Sequence, residues 1–120
     1  MRTRAWVLLL AAVWSLGCGG SLLEDARHEF DQGQYADAKR TILKIDASEY
    51  REQDYREQTE YALFRGLVMG ALGDRTEAQA WLGQAKQSEE RHPGSLSRDD
   101  AARLKLSEEQ YGPFLPTSAP

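Results

Sequence analysis

This chain of 120 residues holds one cysteine, so no disulfide within it can staple the fold, and stability must come from apolar packing. It holds two histidines, His28 and His92, and neither stands at metal-ligand spacing from another His or Cys. Prolines number four, and no stretch alternates apolar and polar residues with period two, which removes the pattern of half-buried strands. Basic excess is missing too: 15 Lys and Arg face 19 Asp and Glu, a formal charge of −4, against nucleic-acid or other polyanion binding. The acids and bases are interspersed, as on solvated helix faces.

One apolar run stands out, at the N-terminus. Arg2 and Arg4 precede Ala5 to Leu16, a stretch of 12 residues that ends in Gly17-Cys18-Gly19-Gly20. A membrane-spanning helix needs about 20 apolar residues to cross a core about 30 Å thick, so an uncleaved span is disfavoured. A positive n-region, a short apolar h-region and a small residue before the cut form the layout of a secretory signal. The run resembles the bacterial lipoprotein signal, with Gly17 before the cysteine that would become the lipidated N-terminus. Ser15 and Leu16 depart from the residues that family favours. Plain secretion, an uncleaved anchor and a cytosolic protein with a misplaced start remain open. The resemblance implies a signal peptide over 1–17, lipidation of Cys18, a short linker at 18–20, and a tether to the envelope. Gly19, in place of Asp, leans towards the outer membrane, facing the periplasm. Loss of residues 1–17 would move the formal charge from −4 to −6, because Arg2 and Arg4 go with it.

Beyond residue 20 the chain reads as helices. Ser21-x-x-Glu24, Asp54-x-x-Glu57, Asp74-x-x-Glu77 and Ser97-x-x-Asp100 are N-cap patterns. They predict helices over 22–32, from 55 to 72, from 75 to 89 and from 98 to 110, with a further one over 35–47. Leu23, Ala26 and Phe30 share one face of the first, and Ala38, Ile42 and Ile45 one face of the second. Ala62, Gly66 and Met69 point inward from the third, Ala78, Leu82 and Ala85 from the fourth, and Ala101, Leu104 and Leu106 from the fifth. Residues 112–120 are expected to form a loose tail. The fold class is all-α.

The middle helices form two pairs that resemble each other. One reads Ala26-x-x-x-Phe30-x-x-Gly33-x-Tyr35-x-x-Ala38-x-x-x-Ile42-x-x-Ile45. The other reads Ala62-x-x-x-Gly66-x-x-Met69-x-x-x-Gly73-x-x-x-x-Ala78-x-x-x-Leu82-x-x-Ala85. Each has Gly, Ala five residues on, an aliphatic residue four later and a small or aliphatic one three later. This pattern resembles the tetratricopeptide repeat, a helix–turn–helix of about 34 residues. The glycines stand 40 residues apart, so about six residues are inserted between the pairs. Arg75 replaces the tyrosine matched by Tyr35, while Glu29 and Arg65 stand at positions usually apolar. An irregular helical bundle is the bland alternative.

The resemblance implies two helical hairpins over 21–111 with the last helix as a cap, and a concave surface lined by the first helix of each pair. Mapped residue by residue, that surface would carry Leu23, Arg27 and Phe30 from the first pair and Glu60, Leu63 and Leu67 from the second. For each single residue, ordinary helix packing is the competing reading. No constellation for catalysis, cofactor or metal is found, and Glu89-Glu90, Asp99-Asp100 and Glu108-Glu109 read as solvated charge. The expectation is a membrane-tethered scaffold or assembly factor that binds another envelope protein. A periplasmic module binding a peptide or small molecule is the alternative.

Overall fold

The computed structural model describes residues 21–46 and 54–114; Cys18, the rest of the N-terminal segment, and residues 47–53 and 115–120 lie outside them. Within the described residues every regular element is a helix: α1 (Leu22–Asp31), α2 (Tyr35–Ile42), α3 (Tyr55–Ala71), α4 (Arg75–Arg91) and α5 (Arg98–Tyr111). The class is all-α, built from two helical hairpins, α1/α2 and α3/α4, and a fifth helix.

Side chains fix four of the five starts. Ser21 Oγ accepts the Glu24 N–H at 3.2 Å, and Asp54 Oδ1 accepts that of Glu57 at 2.9 Å. Asp74 Oδ1 accepts the Glu77 N–H and Ser97 Oγ the Asp100 N–H, each at 3.2 Å. Each removes one donor that a helix leaves unpaired at its first turn. Only α2 begins without such a bond, at Gln34.

The two hairpins turn in the same way. After α1, Gly33 adopts φ +79, its N–H bonds the Phe30 carbonyl and that of Gln34 bonds the Glu29 carbonyl. After α3, Gly73 adopts φ +87, its N–H bonds the Gly70 carbonyl and that of Asp74 bonds the Met69 carbonyl. Both are Schellman closures, in which a left-handed residue satisfies the last carbonyls, and glycine reaches that conformation without a Cβ penalty.

The second helix is shorter than its periodicity predicts. It ends at Ile42, and the chain tightens through Lys44 N–H to Thr41 O and Ile45 N–H to Ile42 O. These i→i−3 bonds close a 3₁₀-like turn that still delivers Ile45 to the core, 7% exposed. Ala47, the predicted end, falls outside the described residues.

The centre of the molecule is α3. It packs against α1, α2, α4 and α5, and Thr59, Tyr61 to Phe64 and Gly66 to Met69 are buried along it. Close approach of α3 and α4 depends on Gly66, where a Cβ would stand 2.6 Å from Leu82 Cγ and 3.0 Å from the Leu82 backbone nitrogen. Ala26, Ala38, Ala62, Ala78 and Ala85 are buried in the core, as their spacing predicts. Leu23, Ile42, Ile45, Met69, Leu82 and Leu104 join them. Full burial of each large aliphatic side chain contributes about 1.5–3 kcal/mol.

Two placements differ from the sequence reading. Leu106, expected inward, is 64% exposed; α5 turns Asp100, Leu104 and Ser107 inward instead, a stripe that leaves Leu106 on the other side. Phe114, expected in a loose tail, packs its ring against the core.

Candidate functional site

The side that α1, α3 and α5 share is the one the sequence reading assigns to binding. Its middle is a charge cluster. Arg27, on the second turn of α1, donates from Nη1 to Glu60 Oε1 of α3 at 2.6 Å. The same guanidinium grips Asp100 of α5 through two bonds, Nη1 to Oδ2 at 2.7 Å and Nη2 to Oδ1 at 3.0 Å. Arg103, one turn along α5, pairs with Asp31 of α1 at 2.9 Å and lies 3.7 Å from Asp100 Oδ1. One side chain therefore ties three helices together, and a second arginine closes the outer edge.

Beneath the cluster lies Phe64, with no exposed surface. The Arg27 guanidinium stands 4.8 Å from its ring centroid and that of Arg103 5.5 Å, both within cation–π reach. Phe30 meets the same ring edge-on at 5.9 Å. Burial by itself would lower the Arg27 pKa, but the hydrogen bonds to Asp100 and Glu60 outweigh it and raise the value, so this group is charged at every accessible pH. The Asp100 side chain is only 4% exposed. A carboxylate so buried needs its partner, because desolvation leaves an unpaired charge strongly unfavourable.

Beside the cluster opens a cleft of about 330 Å³ lined by Arg27, Asp54, Arg56, Glu57, Glu60, Ser95, Leu96, Ser97 and Asp100. A smaller one of about 150 Å³ continues it towards the start of α1, between Ser21, Leu23, Glu24, Glu57 and Glu60. Its rim is shaped by Glu89 of α4, whose carboxylate accepts the backbone N–H groups of Gly94 and Leu96 at 2.9 Å each. Nearby, the Tyr55 and His92 rings stack with centroids 3.6 Å apart, joining the start of α3 to the end of α4.

The residues predicted for binding divide into two groups. Arg27 and Glu60 come together in the cluster and line the cleft. Leu23, 5% exposed, forms part of the smaller cleft's floor. Phe30 is half-buried between Tyr35 and Phe64. Leu63 and Leu67 are 0% and 8% exposed and belong to the core. An open groove lined by those leucines is therefore absent from the described residues; on this side α5 packs against α3 and its Asp100 and Arg103 pair with Arg27 and Asp31 of α1.

Sequence reasoning missed Asp31, Asp100 and Arg103. A signal was available, since Arg27 and Asp31 sit four apart on α1 while Asp100 and Arg103 sit three apart on α5, two mirror-image pairs. Three of the acids read as solvated are likewise engaged: Asp100 by Arg27, Glu89 by the loop, and Glu108 by Lys86 at 2.5 Å. The two residues that depart from the tetratricopeptide pattern find local contacts, although Arg65 Nε is buried without a hydrogen-bond partner. Glu29 Oε1 accepts from Thr41 Oγ1 at 2.5 Å, and Arg65 lies 4.4 Å over the Trp81 ring while donating to the Tyr61 hydroxyl.

Among the described residues no group of three or more His, Cys, Asp and Glu is placed to hold a metal, and no helix is long and apolar enough to cross a membrane. No protein-family model matches the chain, and no curated protein or solved structure proves similar to it.

Proposed function

We propose that this chain is a lipid-anchored helical-hairpin protein of a bacterial envelope that acts as a scaffold or assembly factor by binding another protein. What supports the binding role is the internal duplication. Two hairpins close through the same hydrogen bonds at Gly33 and Gly73 and bury matching Ala and aliphatic positions. Stacked helical hairpins act as extended binding surfaces rather than as catalysts. The tether rests on the Arg2-to-Cys18 pattern and its likeness to lipoprotein signals. Under this reading the partner first meets the polar cleft at the start of α3 and α5, because Leu63 and Leu67 are buried in the closed molecule.

A photoreactive residue in place of Glu57, at the cleft, tests the binding role in intact membranes. The expected result is one defined crosslinked envelope protein, lost when Arg56→Glu is added to the same chain. Equal labelling of many proteins, unchanged by Arg56→Glu, overturns it. For the tether, Cys18→Ser is expected to abolish metabolic fatty-acyl labelling and leave the precursor uncut. Undiminished labelling removes the anchor.

The cleft itself favours a second reading, a module that takes a peptide or small molecule. A ligand at 100 times its dissociation constant stabilises the native state by about 2.7 kcal/mol. Thermal melting against a peptide library would reveal such a shift, and an unchanged melting point with every peptide argues against this reading.

A further inference from the structure

We propose that α5 is a releasable cover over the face formed by α1 and α3, and that an amphipathic partner helix with the same pattern takes its place. The attachment of α5 is unlike that of the other helices. Its buried residues are Asp100, Leu104 and Ser107, so Leu104 is the only aliphatic side chain it buries fully. Ala101 and Tyr111, with Phe114 just beyond, add partly buried apolar contact, and the rest of the hold is polar. Arg27 binds Asp100, Arg103 binds Asp31, and Lys86 binds Glu108. Gln79 Nε2 donates to the Tyr111 carbonyl at 2.6 Å, while the Tyr111 ring sits on Gly70, where a Cβ would come within 2.6 Å.

Two of the three ion pairs are a third or more exposed at one or both ends. Such pairs stabilise by under about 1 kcal/mol each and weaken with salt. Segments with few buried apolar contacts open at lower free energy than the core, and α5 fits that description while α3 does not. What α5 covers on α3 is apolar: the Phe64 ring, under Arg103 at 5.5 Å, and Gly70, under the Tyr111 ring. The covered face also presents the Arg27 guanidinium, which keeps Glu60 but loses its two bonds to Asp100 once α5 leaves, a loss that an incoming carboxylate makes good.

The cover itself defines the replacement. It presents an acid at 100, an aliphatic residue at 104, a small one at 107 and an aromatic one at 111, the i, i+4, i+7 anchors of a helix laid in a groove. A partner helix must offer a carboxylate to Arg27 and an aliphatic side chain one turn later. This partner half rests on the protein-binding reading above; the release half does not.

Native-state hydrogen exchange on the full-length protein tests release. Amides of residues 102–111 are expected to exchange at least about tenfold faster than those of 62–70, and faster still as salt rises. Equal protection of the two segments at all salt concentrations overturns the proposal. A labelled peptide spanning residues 97–114 tests the groove. Asp100→Ala loosens the resident helix and leaves Arg27 held by Glu60 alone, and Glu108→Ala breaks only the Lys86 pair, so it stays folded if the first variant does not. Asp100→Ala is expected to bind the peptide at least about tenfold more tightly than the unaltered protein, and Glu108→Ala more tightly by a smaller factor, below about fivefold, since the exposed pair it breaks is worth under about 1 kcal/mol. A peptide carrying Asp100→Ala is expected to lose that gain. Equal affinity for all three proteins overturns the groove as a docking surface. Failure here with a single crosslinked partner at Glu57 would leave the scaffold reading standing. Peptide binding without any crosslinked partner would do the reverse.

Discussion

Leu63 and Glu57 lie within two turns of each other on α3 and respond to substitution in opposite ways. Leu63 has no exposed surface, so Leu63→Glu places a charge in the core at a penalty of several kcal/mol. Against a total stability of about 5–15 kcal/mol that is enough to abolish the cooperative melting transition. Glu57→Lys, on an exposed position, is expected to change stability by no more than about 0.5 kcal/mol in urea titration. The glycines are a sharper test. Gly33 and Gly73 occupy left-handed backbone with open space where a Cβ would stand, so Gly33→Ala and Gly73→Ala are each expected to destabilise by about 1–2 kcal/mol from backbone strain alone. The two effects should add, since the turns share no partner. Gly66→Ala acts by another route, forcing Leu82 aside, at about 1–3 kcal/mol. An unchanged denaturation midpoint for any of the three contradicts the corresponding geometry.

At the scale of single helices, the beginnings were legible because the cap is a local contact. Ser21, Asp54, Asp74 and Ser97 are short polar residues three positions before an acidic one, and each accepts the hydrogen bond its spacing predicts. Ser97→Ala is expected to destabilise by about 1 kcal/mol, with faster exchange confined to α5. The inward faces of α1, α2 and α4 were legible for a similar reason, since each buries one stripe. The third helix was not. Periodicity marks a single apolar face, and α3, surrounded by four helices, buries almost every side. That is why Leu63 and Leu67, off the predicted stripe, looked available for a partner. For α5 the decisive inward residue is Asp100, which no hydrophobic pattern can find. Its edge also carries a pH signature. The Glu108 hydrogen bond raises the Lys86 pKa above its ordinary 10.5. A raised value in the folded state means the pair supports stability fully below that pH and loses it as pH climbs through the higher folded value. Protection of α5 should therefore hold from neutrality to about pH 10 and fall above it, and Glu108→Ala should remove that alkaline dependence.

Taken together, the described residues are two like hairpins with a fifth helix set against α3 and α4 and ion-paired to α1. The fifth helix packs against α3 and α4, and reaches α1 only through the side-chain pairs Arg27–Asp100 and Asp31–Arg103. Hairpin spacing made the two pairs legible in the sequence, and the Ser97-x-x-Asp100 cap made the fifth helix so. Closure was not legible, because it depends on Arg27 meeting Asp100 across 73 residues of chain. If that contact holds the face shut, its removal should act as one event from either side. Arg27→Ala leaves the buried Asp100 carboxylate with only Arg103, 3.7 Å away, and Asp100→Ala leaves Arg27 with Glu60 alone, each at about 2–3 kcal/mol.

The most direct measurement is a double-mutant cycle on Arg27→Ala and Asp100→Ala by chemical denaturation. The double variant is expected to be little worse than either single one, a coupling of about 2 kcal/mol or more. Strict additivity, with the two losses summing to within about 0.5 kcal/mol, would show that the arginine and the aspartate act independently and that α5 is held by something else.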